Sequence, residues 1–297
     1  MSSSQNIMNT GMKYITISDL SETIRKNIWK IPRDIDFIIG VPRSGMIAAS
    51  MISSYLNVPL IDIESYLNGM KPYGGLRLKY FSSNHVSTNK ALVVDDTVYA
   101  GTSMTRTREK LSRIKGMKFI YSCVYLEGTG ENTIDLYLED VRQKDLSIVL
   151  YEWNILQHHD KFMEHCLYDI DGVFCLDPPD ERKNDEYIEY IRNAKPLFIP
   201  RTKIGGIITY RLVKNKDITT KWLHENGVSY NEIIMFDAMS WEERHRRNIP
   251  PEKYKGDFYK THGNYRLFVE SNDHQAMRIS EISGKPVYCV ETNKLYQ

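Results

Sequence analysis

Cysteine, unbalanced charge and long apolar runs are all scarce in this chain. Its 297 residues include four cysteines, Cys123, Cys166, Cys175 and Cys289. They lie far apart and show no metal-ligand spacing, which excludes a zinc ribbon or finger and leaves reduced, buried thiols as the reading. Thirty-nine basic residues face 38 acidic ones, a net charge of +1, with no basic stripe. Nucleic acid is therefore not an expected partner. No apolar run is long enough to span a bilayer. The opening residues MSSSQNIMNTGM are polar, unlike a secretion signal. The expectation is a cytoplasmic enzyme, reaching the inner face of a membrane only through its acceptor.

What the chain does have is an alternation of apolar runs and helical patterns, as in βα architectures. Residues 18–29 read as a helix capped by Ser18. Residues 35–39 read as a strand, 46–56 as a helix and 64–90 as a Gly-rich, basic flap or hairpin. ALVVDD, from residue 91, is a buried strand, followed by a helix over 104–115 and strands over 119–126 and 133–140. A fresh series begins near Leu167, with strands at 167–170, 206–209, 232–236, 266–270 and 286–290. Its helices fall at 183–193, 214–226 and 273–282. The length suits two domains, with boundaries at 13–157 and 158–297.

ALVVDDTVYAGTS, residues 91–103, carries the most chemistry. Asp95 and Asp96 close an apolar run, where the carboxyl end of a parallel strand meets ligand. Paired carboxylates there can accept from vicinal hydroxyls or hold a divalent ion. The turn Thr97 to Ser103 leads into a helix. Gly101 relieves crowding, and backbone N–H groups with the Thr102 and Ser103 hydroxyls can surround a phosphate. Ahead of it, IIGVPRSGMIAA (38–49) repeats the pattern of strand, Gly-rich turn and helix, with Arg43 in the turn.

These segments resemble the type I phosphoribosyltransferases. The resemblance implies 5-phosphoribosyl 1-diphosphate (PRPP) as co-substrate, with Mg²⁺. Asp95 and Asp96 would hold the ribose hydroxyls. Thr97, Ala100, Gly101, Thr102 and Ser103 would hold the 5-phosphate. Arg43, Ser44 and Gly45 would meet the diphosphate, and Lys71 and Arg77, with Lys79, would reach it from the flap. If the acceptor is an alcohol it needs a base, and Glu64 or Asp62 stands in position.

YDIDGVF, 168–174, is a second signature. A DxD at a strand end supports two-step phosphoryl transfer, one carboxylate attacking phosphorus and the other moving protons. It resembles the first motif of the haloacid-dehalogenase-like phosphatases. By that resemblance Asp169 is the nucleophile, Asp171 the acid–base, Thr209 a phosphoryl contact, and Lys255, or else Lys260, the lysine. Asp169, Asp171, Glu270 and Asp273 would hold Mg²⁺, although ExxD departs from the family's usual acids. The run 241–247, rich in charge, reads as a solvated helix.

The implied fold is α/β in two domains: a phosphoribosyltransferase-like parallel sheet with a flap, then a Rossmann-like haloacid-dehalogenase-type domain with minimal or no cap. The joint reading is bifunctional: phosphoribosyl transfer to a glycan hydroxyl, on a glycan or lipid-linked glycan rather than a small-molecule acceptor, then removal of the 5-phosphate to leave β-ribofuranose. A rival makes the acceptor a nitrogenous base or small metabolite. A third makes the chain a regulatory or interaction protein with inactive sites, in which PRPP binding to one domain controls partners through the other. A homodimer is compatible with all three.

Overall fold

A computed structural model describes residues 11–76, 87–143, 146–178 and 184–297. It divides into two compact units, residues 1–153 and 154–297.

The first unit is built on a five-stranded parallel sheet. Its strands are β2 (Phe37–Gly40), β3 (Leu60–Asp62), β4 (Lys90–Val98), β5 (Lys118–Leu126) and β6 (Leu136–Asp140), in the order β3-β2-β4-β5-β6. β4 lies at the centre and buries both faces, which is why its sequence is a continuous apolar run rather than an alternating one. Leu92 and Val94 face helix α2 (Gly45–Leu56) through Ala48, Ala49 and Ile52. Ala91 and Val93 face the opposite way, toward Met104 and Leu111. Those two belong to the helix Thr102–Leu111.

Three local features differ from expectation. Helix α1 (Ile17–Asn27) is capped by Thr16, not Ser18, because Asp19 completes a capping box with Thr16. Strand β1 (Gly11–Ile15), absent from the sequence reading, pairs in parallel with β7 (Leu146–Tyr151). The start of the expected flap is instead helix α3 (Ile63–Leu67). Arg77 and Lys79 lie outside the described residues.

The second unit carries a six-stranded sheet, ordered β10-β9-β8-β11-β12-β13. Its strands are β8 (Cys166–Tyr168), β9 (Ile204–Leu212), β10 (Tyr230–Phe236), β11 (Leu267–Glu270), β12 (Val287–Cys289) and β13 (Lys294–Tyr296). Only β12 and β13 pair antiparallel. The helix Pro251–Thr261 carries Lys255 and packs beside the helix Asp273–Ser283. All four cysteines are buried and unbridged. Among the described residues no helix is long and apolar enough to cross a membrane.

Candidate functional site

In the first unit the strand order reverses between β2, the first strand of the sheet in chain order, and β4, the third. Ligands of open parallel sheets bind beyond the carboxyl ends of strands at such a point. The two ends are pinned together: the Val41 N–H donates to the Val94 carbonyl at 2.9 Å. From there the chain turns through Arg43 and Ser44 into α2. Gly45, the first residue of α2, lies flush against β4. A Cβ built on it would stand 2.8 Å from Asp95 Oδ1 and 2.8 Å from the Val94 carbonyl oxygen. Only glycine permits that approach, so the α2 N-terminus and the Asp95 carboxylate share one corner.

The loop after β4 forms the other wall. Gly101 caps the next helix in the left-handed region, φ +77°. A side chain there would also strike Thr133, 2.5 Å from its Oγ1. Gly130 N–H donates to the Tyr99 carbonyl at 2.7 Å and braces the same loop. The structure therefore gathers Ser44, Gly45, Asp95, Asp96 and the Gly101–Ser103 helix start around one switch point. Arg43, Ala100, Thr102 and Ser103 are exposed there, and Thr97 is half-buried. Lys71 is exposed beyond α3.

Asp95 and Asp96 are both buried. Burial pushes both carboxyls above their usual range, and the neighbouring charge of Asp96 pushes Asp95 further. Such a pair gains from hydroxyl donors. One donor is already present and was not assigned from sequence: Trp153 Nε1 donates to Asp96 Oδ2 at 2.6 Å. Trp153 packs on Tyr151, ring centroids 4.9 Å apart, and Tyr151 donates to Glu127 Oε2 at 3.2 Å. Burial raises Glu127 as well. The two acids considered as acceptor bases are engaged elsewhere. Asp62 caps α3 through the Ser65 N–H at 2.9 Å, and Glu64 pairs with Lys110 at the surface.

The second unit has its own switch point. The strand order β10-β9-β8-β11-β12-β13 reverses between β8 and β11, and Asp169, Asp171 and Glu270 emerge there. They line an open cavity of 510 Å³ with Lys255 and Arg211. Lys255 is buried and donates to Asp169 Oδ2 and Glu270 Oε2, each at 2.7 Å. Lys260 is exposed on the same helix. Burial lifts the Asp169 carboxyl to about 7, against the opposing pull of Lys255. Asp169 Oδ1 is buried with no hydrogen-bond partner among the described residues.

Two expected members do not join this group. Thr209 is fully buried, outside the cavity lining, and its Oγ1 accepts from the Arg211 N–H at 3.3 Å. Asp273 accepts from Thr292 at 2.6 Å and from Tyr296, and it does not line the cavity. Glu270 Oε1 is occupied by the Ser271 N–H at 2.9 Å, and the Asp171 carbonyl by Ser271 Oγ at 3.1 Å. Of the four expected magnesium ligands, Asp169, Asp171 and Glu270 line the cavity and Asp273 does not. No group of three or more His, Cys, Asp or Glu at metal-holding distance occurs among the described residues. The 241–247 run is not fully solvated either. Arg244 is buried, donates to the Tyr210 carbonyl at 2.7 Å and lies over the Tyr210 ring.

The first unit thus has the architecture of α/β proteins that hold phosphorylated ligands at a switch point, on helix N-termini. More narrowly, a model of the phosphoribosyl transferase domain matches residues 3–154, just over half of the chain. The chain belongs to that family. It is 32% identical over 116 residues to a xanthine-guanine phosphoribosyltransferase of Chromohalobacter salexigens, covering 38% of this chain and 66% of that enzyme. The match therefore spans just under two thirds of that relative's length. A xanthine-guanine phosphoribosyltransferase of Idiomarina loihiensis is 26% identical over 125 residues, 41% of this chain and 73% of that enzyme. Among solved structures, a purine phosphoribosyltransferase of Pyrococcus horikoshii matches with 23% identity and a TM-score of 0.35, covering 48% of this chain and 93% of that one.

Proposed function

We propose that the first unit transfers 5-phosphoribosyl from PRPP to a nitrogenous base or small metabolite, and that the second removes the resulting 5-phosphate. The observation that carries the transfer is the convergence of Asp95 and Asp96 with two helix N-termini at one switch point, in a chain of this family. The carboxylates accept from the ribose hydroxyls. The N–H groups opening at Thr102 hold the 5-phosphate, and the α2 N-terminus faces the diphosphate. The bond from C1 to the diphosphate breaks, a C1–N bond forms with inversion, and the nitrogen sheds a proton. Positioning and charge stabilisation supply most of the rate. Mg²⁺ arriving with the diphosphate would neutralise the leaving group.

The purine-base enzymes among the relatives favour nitrogen over a glycan hydroxyl as the nucleophile. So does the engagement of Asp62 and Glu64, since an alcohol needs a base more than a ring nitrogen does.

For the second unit, the reading rests on Asp169 Oδ1, buried and unpartnered at the mouth of a parallel-sheet switch point beside Lys255. Asp169 attacks phosphorus and the ester P–O bond breaks. Asp171 relays a proton from solvent to the leaving oxygen, then accepts one from the water that splits the aspartyl phosphate. Net, ester and water become alcohol and phosphate.

The test is diphosphate release from PRPP and Mg²⁺ in the presence of xanthine, guanine, hypoxanthine and orotate, with products weighed by mass spectrometry. A base-dependent burst of diphosphate and a ribosylated product are expected. PRPP affinity without turnover on any acceptor would instead favour a regulatory protein. Trp153→Phe keeps the ring on Tyr151 but removes the donor to Asp96. It is expected to raise the PRPP dissociation constant about tenfold, the worth of one hydrogen bond to a charged group, as read by calorimetry.

A further inference from the structure

We propose that Arg211, not Thr209, is the residue that grips the phosphoryl group in the second unit, by exchanging its bond to Asp171 for bonds to the phosphate of an entering monoester. This rests on the hydrolytic reading of that unit.

β9 and β10 pair Thr209 with Met235 and then Leu212 with Phe236, so Tyr210 and Arg211 are left out of the ladder. A bulge of this kind re-aims side chains and recurs next to active sites. Here it turns Arg211 into the cavity lining. Arg244 braces the bulge from behind through the Tyr210 carbonyl.

The hydrogen-bond inventory of Arg211 is incomplete. Its side chain is 1% exposed. Nε donates to Asp171 Oδ2 at 3.0 Å and Nη2 to Asp171 Oδ1 at 2.5 Å. Nη1 is buried and has no hydrogen-bond partner among the described residues. Buried guanidinium N–H groups are nearly always satisfied. Asp169, in the same lining, also carries a buried atom with no partner among the described residues, Oδ1. An unsatisfied donor and an unsatisfied nucleophilic oxygen on two residues that line one cavity match a single ligand: a tetrahedral phosphoryl group, with oxygens for Arg211 and phosphorus for Asp169.

Five carboxylates, Asp169, Asp171, Asp177, Glu270 and Glu291, share the lining with two cations, Lys255 and Arg211, so these two are the groups an entering phosphate can meet. Lys255 is held by two carboxylates and by Gln275. Arg211 has one carboxylate partner, and a guanidinium can bind phosphate with two parallel N–H groups. Asp171 does not lose all its support on exchange, because Tyr190 also donates to its Oδ1 at 3.0 Å. Release from Arg211 is what opens Asp171 to proton transfer. A cavity of 510 Å³ suits a sugar phosphate or nucleotide.

The test uses the full chain, with ribose 5-phosphate as substrate and inorganic phosphate as competing ligand. For Arg211→Gln, KM for ribose 5-phosphate and the inhibition constant of phosphate should both rise at least thirtyfold. Arg211→Lys, which keeps the charge without the fork, should recover part of that loss. Hydrogen exchange at β8 and β9 reports whether either variant is misfolded. Unchanged constants in Arg211→Gln, or a comparable loss confined to Thr209→Val, overturn the assignment. If the wild type and Asp169→Asn alike release no phosphate, the hydrolytic reading fails on its own. Calorimetric titration with phosphate then still decides on Arg211: binding lost in Arg211→Gln supports the grip, while no binding to the wild type overturns it.

Discussion

Lys255→Met is expected to destabilise the second unit by about 3–5 kcal/mol and to abolish phosphate release, the largest single-residue effect on that unit. The ammonium is buried between Asp169 and Glu270, 2.7 Å from each. Removing one partner of a buried ionic group leaves uncompensated charge, which is far costlier than the intact group is stabilising. Asp169 answers by taking up a proton. Burial already lifts Asp169 to about 7 with the lysine present. Without it the carboxyl moves higher and is neutral at physiological pH, where it cannot attack phosphorus. Glu270→Gln added to Lys255→Met removes one of the two stranded charges and should recover part of the stability but none of the hydrolysis. Hydrogen exchange at β8 and β11 measures the first effect, and phosphate release from ribose 5-phosphate the second. Wild-type protection of both strands in Lys255→Met would contradict the account.

How much of this could be read from the chain depends on how local each feature is. β4 was legible because a central parallel strand is apolar on both faces, so ALVV stands out and Asp95 and Asp96 mark its end. The helix starts at Gly45 and Gly101 were legible for the same reason, as turn chemistry within a few residues of a strand. Trp153 was not. Its bond to Asp96 follows from β7 pairing with β1, where Ile15 meets Tyr151 across most of the unit's sequence. Nor was Arg211. It sits two residues from the threonine that the motif singles out, and only the slipped register against β10 turns it into the cavity. Asp273 fails for a similar reason. It opens a helix just after β11, as expected, but the hydroxyls of Thr292 and Tyr296, on and beside the β13 return strand, claim its side chain. The Thr16 cap, by contrast, was within reach: Thr followed three residues later by Asp is a local signature.

Gly45→Ala is expected to lower PRPP affinity at least a hundredfold, although it adds one methyl group. The added carbon would lie 2.8 Å from the Val94 carbonyl oxygen, 2.8 Å from Asp95 Oδ1 and 2.9 Å from the Asp95 Cα. Two of those three neighbours are backbone atoms of the central strand, so no side-chain rotation relieves the overlap. Either α2 lifts from β4 or the strand end shifts, at a cost of about 1–3 kcal/mol for overpacking. The cost to binding is larger, because the same movement separates the α2 N-terminus from the Asp95 carboxylate. In the proposed site these hold the diphosphate and the ribose hydroxyls of one molecule, and simultaneous contact is what makes the affinity. Ser44→Ala, which changes the adjacent residue without adding a contact to β4, separates the steric effect from the loss of a hydroxyl. Isothermal titration with PRPP and Mg²⁺ reads both variants. A Gly45→Ala protein that binds PRPP as the wild type does would mean that the corner formed by Gly45 and Asp95 is not where PRPP sits.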